Sequence, residues 1–448
     1  MKRLPVLVAA AVSALSLTLT AFTPSPSSQP QNGPSKSSVS PSDPTSAHRD
    51  PSDPAATKGY LDRLQRGVPL RKQDCDSIRF KGRMASLCLR TIDPKQARQT
   101  PTPHVERRAG DPAPPQALCS QKPGQTNYDR FHACYETVRR IEIVQDGTAT
   151  VEGEVRTDVW ATLSPKNPTW LMQVGITPIW ISPDLVETGP SYKAQLACST
   201  NQCKIPNPVT KAIGPGIYTY YELATSIPSS APGDSIQYSN PQIKLSLVVS
   251  NGTTLTPPSP ANDPFNVRCD SETYIGGEGC VYYMGTASAA TFYIDYKDVD
   301  PKYGDYREVV KNDLYGEVVR DNLNHYGHIQ FGHPLHRTDP VTQRANHDSI
   351  CTKAILAKRP AGMQCDEWPY ASSEEGGGKN PRYSCAFLPE EQNRAHGQAL
   401  DNTLYKANRI LPSLNEGGQY IQGDPYWVWV LNAPEASKIP AVKQCSTY

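Results

Sequence analysis

The stretch that decides the C-terminal fold runs from Cys365 to Gly378, CDEWPYASSEEGGG, and continues through KNPRYSCAFLP (379–389) into EEQNRAHGQALDNTLYKANRIL (390–411). Pro369 forbids helix continuation and restricts Trp368, so CDEWPYAS reads as a short strand or turn. Glycines and an Asn-Pro pair make EEGGGKNP a loop. RYSCAFL alternates and carries aromatics, which predicts a second strand. Ala395, Ala399, Leu400, Leu404, Ala407 and Leu411 recur near a 3.6-residue period, which predicts an amphipathic helix starting near Glu390 or Glu391. DPYWVWVL adds a final apolar strand. The order strand, loop, strand, helix, strand is α+β.

Such a strand–strand–helix unit can hold one hard cation. Asn393 falls in the first helical turn, and Asp366 and Glu367 on the first strand. Carboxylate and amide oxygens suit Mg²⁺ or Mn²⁺, and a carboxylate facing the cation can take a proton from water. The bland alternative is a solvated carboxylate pair. His396 lies one helical turn beyond Asn393, as a second base or phosphate donor, or as a solvent-facing helix histidine. His333 and His336, in GHPLHR, are either functional or loop-capping. Arg337 beside them is a phosphate contact on charge alone.

The ordered set DEWP, EEGG and NR at the head of a helix, preceded by SICTKA, resembles the NucA/NucB deoxyribonuclease family. The longer form HPLHR…CDEWPYAS…EEGG…QNR…GDPYWVWV resembles larger exported members of that family. The resemblance spans residues 325–432, about a quarter of the chain. It implies a nonspecific endonuclease with a ββα-metal core. It gives Asp366 the general-base place that histidine holds in other ββα-metal nucleases. It makes Glu367 a metal ligand or an orienting partner of Asp366, Asn393 a metal ligand and Arg394 a phosphate contact. Glu374 and Glu375 match loop acids to which it gives no role. Gln392 stands where the smallest members have Asp, and Ala395-His396-Gly397 where the family is often glycine-rich. This chain also adds Cys351, Cys365, Cys385 and Cys445. A Cys351–Cys365 bond would close a loop of about 15 residues, worth roughly 3 kcal/mol in the chain-entropy picture, and pin Asp366 beside a crosslink.

The rest of the 448 residues sets the context. Lys2 and Arg3 followed by an apolar run and small residues read as a secretory signal peptide over 1–28. All twelve cysteines follow it, an even count that points to disulfides in an exported chain. They fall as neighbours: Cys75/Cys88, Cys119/Cys134, Cys198/Cys203, Cys269/Cys280 and Cys351/Cys365, leaving Cys385 and Cys445. Nearest-neighbour pairing is one of many connectivities the sequence allows. Residues 29–56 are a Pro/Ser-rich tether too poor in apolar residues to order. The 57–115 segment reads as a separate, disulfide-clipped basic unit, with 13 Lys/Arg against 5 Asp/Glu over 57–108. It is a phosphate-contacting patch or a solvated stretch. Residues 116–300 show short alternating strands, with a turn at Asp146-Gly147, and predict a sandwich-like all-β region whose partner is not legible. Helical spacing in DYREVVKNDLYGEVVRDNLNHYG opens a nuclease-like domain over 301–448, while FGHPLHRTDPVTQRANHDSIC reads as an ordered loop.

The expectation is a multidomain, secreted extracellular protein, free of the membrane after signal cleavage. Its C-terminal domain would hydrolyse DNA with Mg²⁺ or Mn²⁺ and little sequence preference. RNA as a second substrate stays open, and an inhibitor protein is a conceivable partner. The competing readings are an extracellular binding protein with a degenerate nuclease domain, and a nuclease toxin. The 301–448 segment carries 16 Lys/Arg and 17 Asp/Glu, so any positive DNA path must be local.

Overall fold

Three long strands, His132–Gln145, Thr148–Ser164 and Asn167–Ile181, form the backbone of the β region. The first turn is built as the sequence predicts: Asp146 and Gly147 both have positive φ, 51° and 78°, the geometry that keeps two right-twisted strands paired. The computed structural model describes residues 74–97 and, with short breaks, 114–448. The expected signal peptide, the tether and both ends of the basic segment, 57–73 and 98–113, lie outside the described residues. The described residues all belong to one compact unit.

The long meander is extended on one side by Asp74–Phe80 and Arg83–Ile92, and on the other by Thr219–Ser226, all antiparallel. A second sheet runs Thr254–Leu255, Pro241–Val248, Ser191–Cys198, Val209–Ala212. Inner-face residues of both sheets, among them Ile141, Val155, Val174, Ala194, Leu245 and Leu247, share one apolar core, the layering of a sandwich. The hairpin at 74–92 was expected to stand apart. Instead Ile78, Phe80, Leu87 and Leu89 join that core, and Cys75 faces Cys88 in register, disulfide-bonded. Its basic outer positions masked an alternating inner face.

In the C-terminal part we number the elements that build the site: β1 (Ala290–Asp295), α1 (Arg307–Leu314), α2 (Pro340–Ile350), β2 (Met363–Trp368), β3 (Ser384–Pro389), α3 (Glu390–Ala399) and β4 (Pro425–Leu431). β1 pairs in parallel with β4, so residues read with the β region belong to the C-terminal core instead. α1 runs on to Arg320 and α3 to Lys406 through π-helical turns. α2 is a helix where the sequence predicts an ordered loop. Asp339 caps it by accepting from the Val341 and Thr342 amides, with Pro340 in the first turn, a start signal that was present in TDPV.

The two halves are locked by buried charge. Arg130 and Arg268 reach from the β region to Asp424, at 2.8 and 2.6 Å, and to the Arg409 carbonyl, at 2.8 and 2.6 Å. Arg409 returns the reach, donating to the carbonyls of Pro165, Asp270 and Gly277 and pairing with the Asp270 carboxylate. Gly279 lets the chains meet there, since a Cβ would lie 2.2 Å from the Pro165 carbonyl oxygen.

Candidate active site

β2 and β3 pair from Met363/Pro389 to Trp368/Ser384, and α3 follows β3 directly. The strand–strand–helix order read from the sequence is therefore present. Among the described residues β2 has no strand on its other edge, and its residues line a cavity of about 670 Å³. Asp366, Glu367 and Gln364 of β2, Asn393 and His396 of α3, and Arg344 and His347 of α2 all line it, with Arg359. The structure thus brings together the four residues singled out as base and ligands.

Adjacent strand residues point to opposite faces, and that divides the two acids. Asp366 turns to α1, where Asn312 donates to its Oδ2 at 2.7 Å. Asn312 is itself fixed by the Ser384 hydroxyl, at 2.7 Å from its Oδ1. Burial, with Asp313 and Glu367 as like-charged neighbours, pushes the Asp366 carboxyl well above its usual range against the opposing Asn312 hydrogen bond. Glu367 turns to α2, where His347 Nδ1 lies 3.1 and 3.3 Å from its two oxygens. That contact raises the His347 pKa, partly offset by burial.

His396 is not the solvent-facing helix residue that its position allowed. It is 3% exposed, packs against Phe292, Tyr306 and Tyr370, and lies 3.4 Å from Asp313 Oδ2. Tyr370 donates to the same oxygen at 2.7 Å. Glu317, one turn further along α1, is also buried. Desolvation and Asp313 push its carboxyl well up. A buried acidic layer thus lies behind β2, supplied by a helix whose sequence announced only its apolar periodicity. Asn393 donates its amide nitrogen to Gln364 Oε1 at 3.2 Å, which leaves the amide oxygen as its donor toward a cation.

Other predicted residues sit elsewhere. His336 Nδ1 lies 2.7 Å from Glu375 Oε1, and its backbone NH donates to Oε2 at 2.9 Å. Arg337 donates to the Ile410 carbonyl at 2.6 Å and stacks over Tyr405. Glu374 accepts from the Gly423 NH at 2.9 Å. These residues tie the glycine loop to its neighbours and do not line the cavity. Arg394 is exposed on α3 and also lies outside the cavity lining. The basic side chains that do line it, Arg344 and Arg359, were not singled out by the sequence. Arg344 and His347 stand three residues apart on α2, hence on one helix face.

Five of the six disulfides join the sequence neighbours, and the two remaining cysteines, Cys385 and Cys445, bond each other across 60 residues. Cys351–Cys365 anchors β2 next to Asp366, and Cys365 Sγ lies 3.5 Å from Cys385 Sγ. Each of these sulfurs is held in its own disulfide, so the described residues of the cavity offer a metal oxygen and imidazole donors.

Residues 332–421 match the deoxyribonuclease NucA/NucB family. No curated protein matches the chain. The match lies within the 325–432 segment of the motif resemblance, without its final GDPYWVWV, and takes in α2, β2, β3 and α3. It stops short of α1 and β4, so Asn312, Asp313 and Glu317, which set the surroundings of Asp366, lie outside it. A NucA/NucB deoxyribonuclease domain points to a nuclease with DNA as its substrate.

Proposed function

We propose that this chain is an exported, metal-dependent endonuclease that hydrolyses DNA phosphodiester bonds with little sequence preference. The observation that carries the reading is one cavity, on the β2–β3–α3 unit inside the family match, holding Asp366, Glu367, Asn393 and His396 together. Glu367 and Asn393 are the residues to hold Mg²⁺ or Mn²⁺, and their oxygens are the donors those ions take. Bound there, the ion would polarise a phosphoryl oxygen and stabilise the leaving oxygen.

The chain's own residues do the rest. Asp366, its affinity for protons raised by burial and by the neighbouring Asp313, lines the cavity where it can take the proton of an attacking water. Asn312 holds the carboxylate in one orientation. Arg344, Arg359 and His347 form a cationic wall facing the acids, where the phosphates of a strand would lie. Twelve disulfide-bonded cysteines fit an oxidising, extracellular setting.

The test is plasmid nicking by the oxidised protein with Mg²⁺ or Mn²⁺, beside EDTA and Asp366→Ala. Metal-dependent nicking that falls by about 100-fold or more in the variant is expected, the range of a lost general base. A folded wild type that leaves the plasmid intact with either metal would refute the reading and favour the binding-protein alternative.

A further inference from the structure

The β sandwich carries a charge that no described acid balances. Arg139 points inward from the strand His132–Gln145, between the two sheets, and is 5% exposed. Its one hydrogen bond is a long one, 3.5 Å from Nη1 to the Leu245 carbonyl of the facing sheet. Its Nε has no partner among the described residues, and it forms no ion pair there. The acids on the neighbouring strand do not reach it. Glu154 and Asp158 alternate to the outer face, where they pair with Arg140 at 2.8 Å and Arg156 at 3.3 Å.

Beside Arg139 lies a cavity of about 30 Å³, lined by Thr137, Thr157, Val159, Leu245 and Phe265 among others. Thr137 and Thr157 face each other across the strand pair. Both are at least 98% buried, and neither hydroxyl has a hydrogen-bond partner among the described residues. Three such donors therefore line one small space, together with Thr126, Gln242 and apolar or aromatic side chains. An unpaired buried guanidinium is among the costliest groups a core can hold, and a water would satisfy its hydrogen bond without balancing its charge.

We propose that this cavity binds a small monovalent anion of halide size, held by Arg139 Nε and the hydroxyls of Thr137 and Thr157. A cavity of about 30 Å³ has room for one monoatomic ion or about two waters. It excludes a phosphodiester or a nucleotide, so the site is independent of the DNA path. The anion would bridge the sheets and stabilise the β region by mass action.

The test compares thermal unfolding of the intact protein in sodium chloride, sodium bromide and sodium gluconate at matched ionic strength. Gluconate is too large for the cavity. Chloride and bromide are expected to raise the midpoint by about 2 °C over gluconate as the site fills, and Arg139→Met to abolish the difference. If that variant does not fold, Thr137→Val with Thr157→Val keeps the guanidinium and should shrink the halide increment. A bromide-soaked crystal should show an anomalous peak within hydrogen-bonding distance of Arg139 Nε. Coincident halide and gluconate curves for the wild type, or a bromide-soaked crystal without that peak, would overturn the proposal.

Discussion

Asp424→Asn tests whether the two halves of the molecule unfold as one. Asp424 is 4% exposed and accepts from Arg130 at 2.8 Å, from Arg268 at 2.6 Å and from the Leu411 NH at 3.0 Å. Burial alone would raise its pKa. Arg268 and Arg130 outweigh burial and hold it down at about 2. Removing one partner of a buried ion pair costs about 3–5 kcal/mol, because the remaining charge is left uncompensated. The amide keeps the shape and one acceptor, so the lower end, about 3 kcal/mol, is the expected loss. With an unfolding entropy of about 2.1 cal/mol/K per residue, a unit of roughly 370 residues loses about 1.3 °C per kcal/mol, so the midpoint should fall by about 4 °C. The acid limb should change too. A depressed carboxylate gives stability that is complete above its unfolded pKa, near 4, and is lost as pH falls toward 2. The wild type should lose about 2 kcal/mol across that window from this group, and the variant should not. Calorimetry at pH 7 and between pH 2 and 4 reads both. A midpoint within 1 °C of wild type and an unchanged acid limb would show that the arginines do not depend on Asp424.

Three further outcomes are expected. Arg344→Ala and Arg359→Ala should each flatten the salt dependence of duplex-DNA binding by about 0.9 in log–log slope, measured by fluorescence anisotropy in an Asp366→Asn background; slopes that stay parallel would remove the cationic wall from the DNA path. Reduction should lower nicking activity, because opening Cys351–Cys365 frees a loop worth roughly 3 kcal/mol at the anchor of β2, and full activity in a thiol-verified reduced sample would make that crosslink irrelevant to the site. Gly316→Ala would place a Cβ 2.6 Å from Trp368 Cδ1, so overpacking should cost about 1–3 kcal/mol, and a thermal midpoint equal to wild type would show that α1 can move off the tryptophan freely.

Local chemistry made the β2–β3–α3 order legible. Pro369, the glycine run and the 3.6-residue spacing from Ala395 each constrain a few neighbouring residues, and those constraints survive in the fold. Nearest-neighbour pairing, one of many connectivities the sequence allows, is the one the structure takes for five of the disulfides; Cys385–Cys445, across 60 residues, follows from a contact that no local spacing shows. What stayed hidden depends on distant parts of the chain. The sequence of α1 showed the apolar stripe Val309, Val310 and Leu314, which packs inward. It did not show that Asn312 and Asp313 would meet Asp366, more than fifty residues later. His347 carries no signal of its own, because nothing but the Asp339-Pro340 start marks its segment as a helix. Arg337 and His336 looked functional by charge, yet their charge is spent on Ile410, Tyr405 and Glu375. The hairpin at 74–92 looked separate by composition, which records the outer face of a strand as readily as the inner one.

The parallel pairing of β1 with β4 sets an order of assembly. The partners lie more than 130 residues apart, and every residue lining the cavity falls between them. The cavity walls can form local turns and helices early, but the sheet that closes beneath them waits for Pro425–Leu431. Cys385 likewise waits 60 residues for Cys445. Contacts of such long sequence separation form late, since loop entropy is lost before they repay it. The site residues are thus synthesised before the strand that completes their sheet and are fixed in place only after it, and a chain that stops before β4 carries every residue of the cavity lining without that strand.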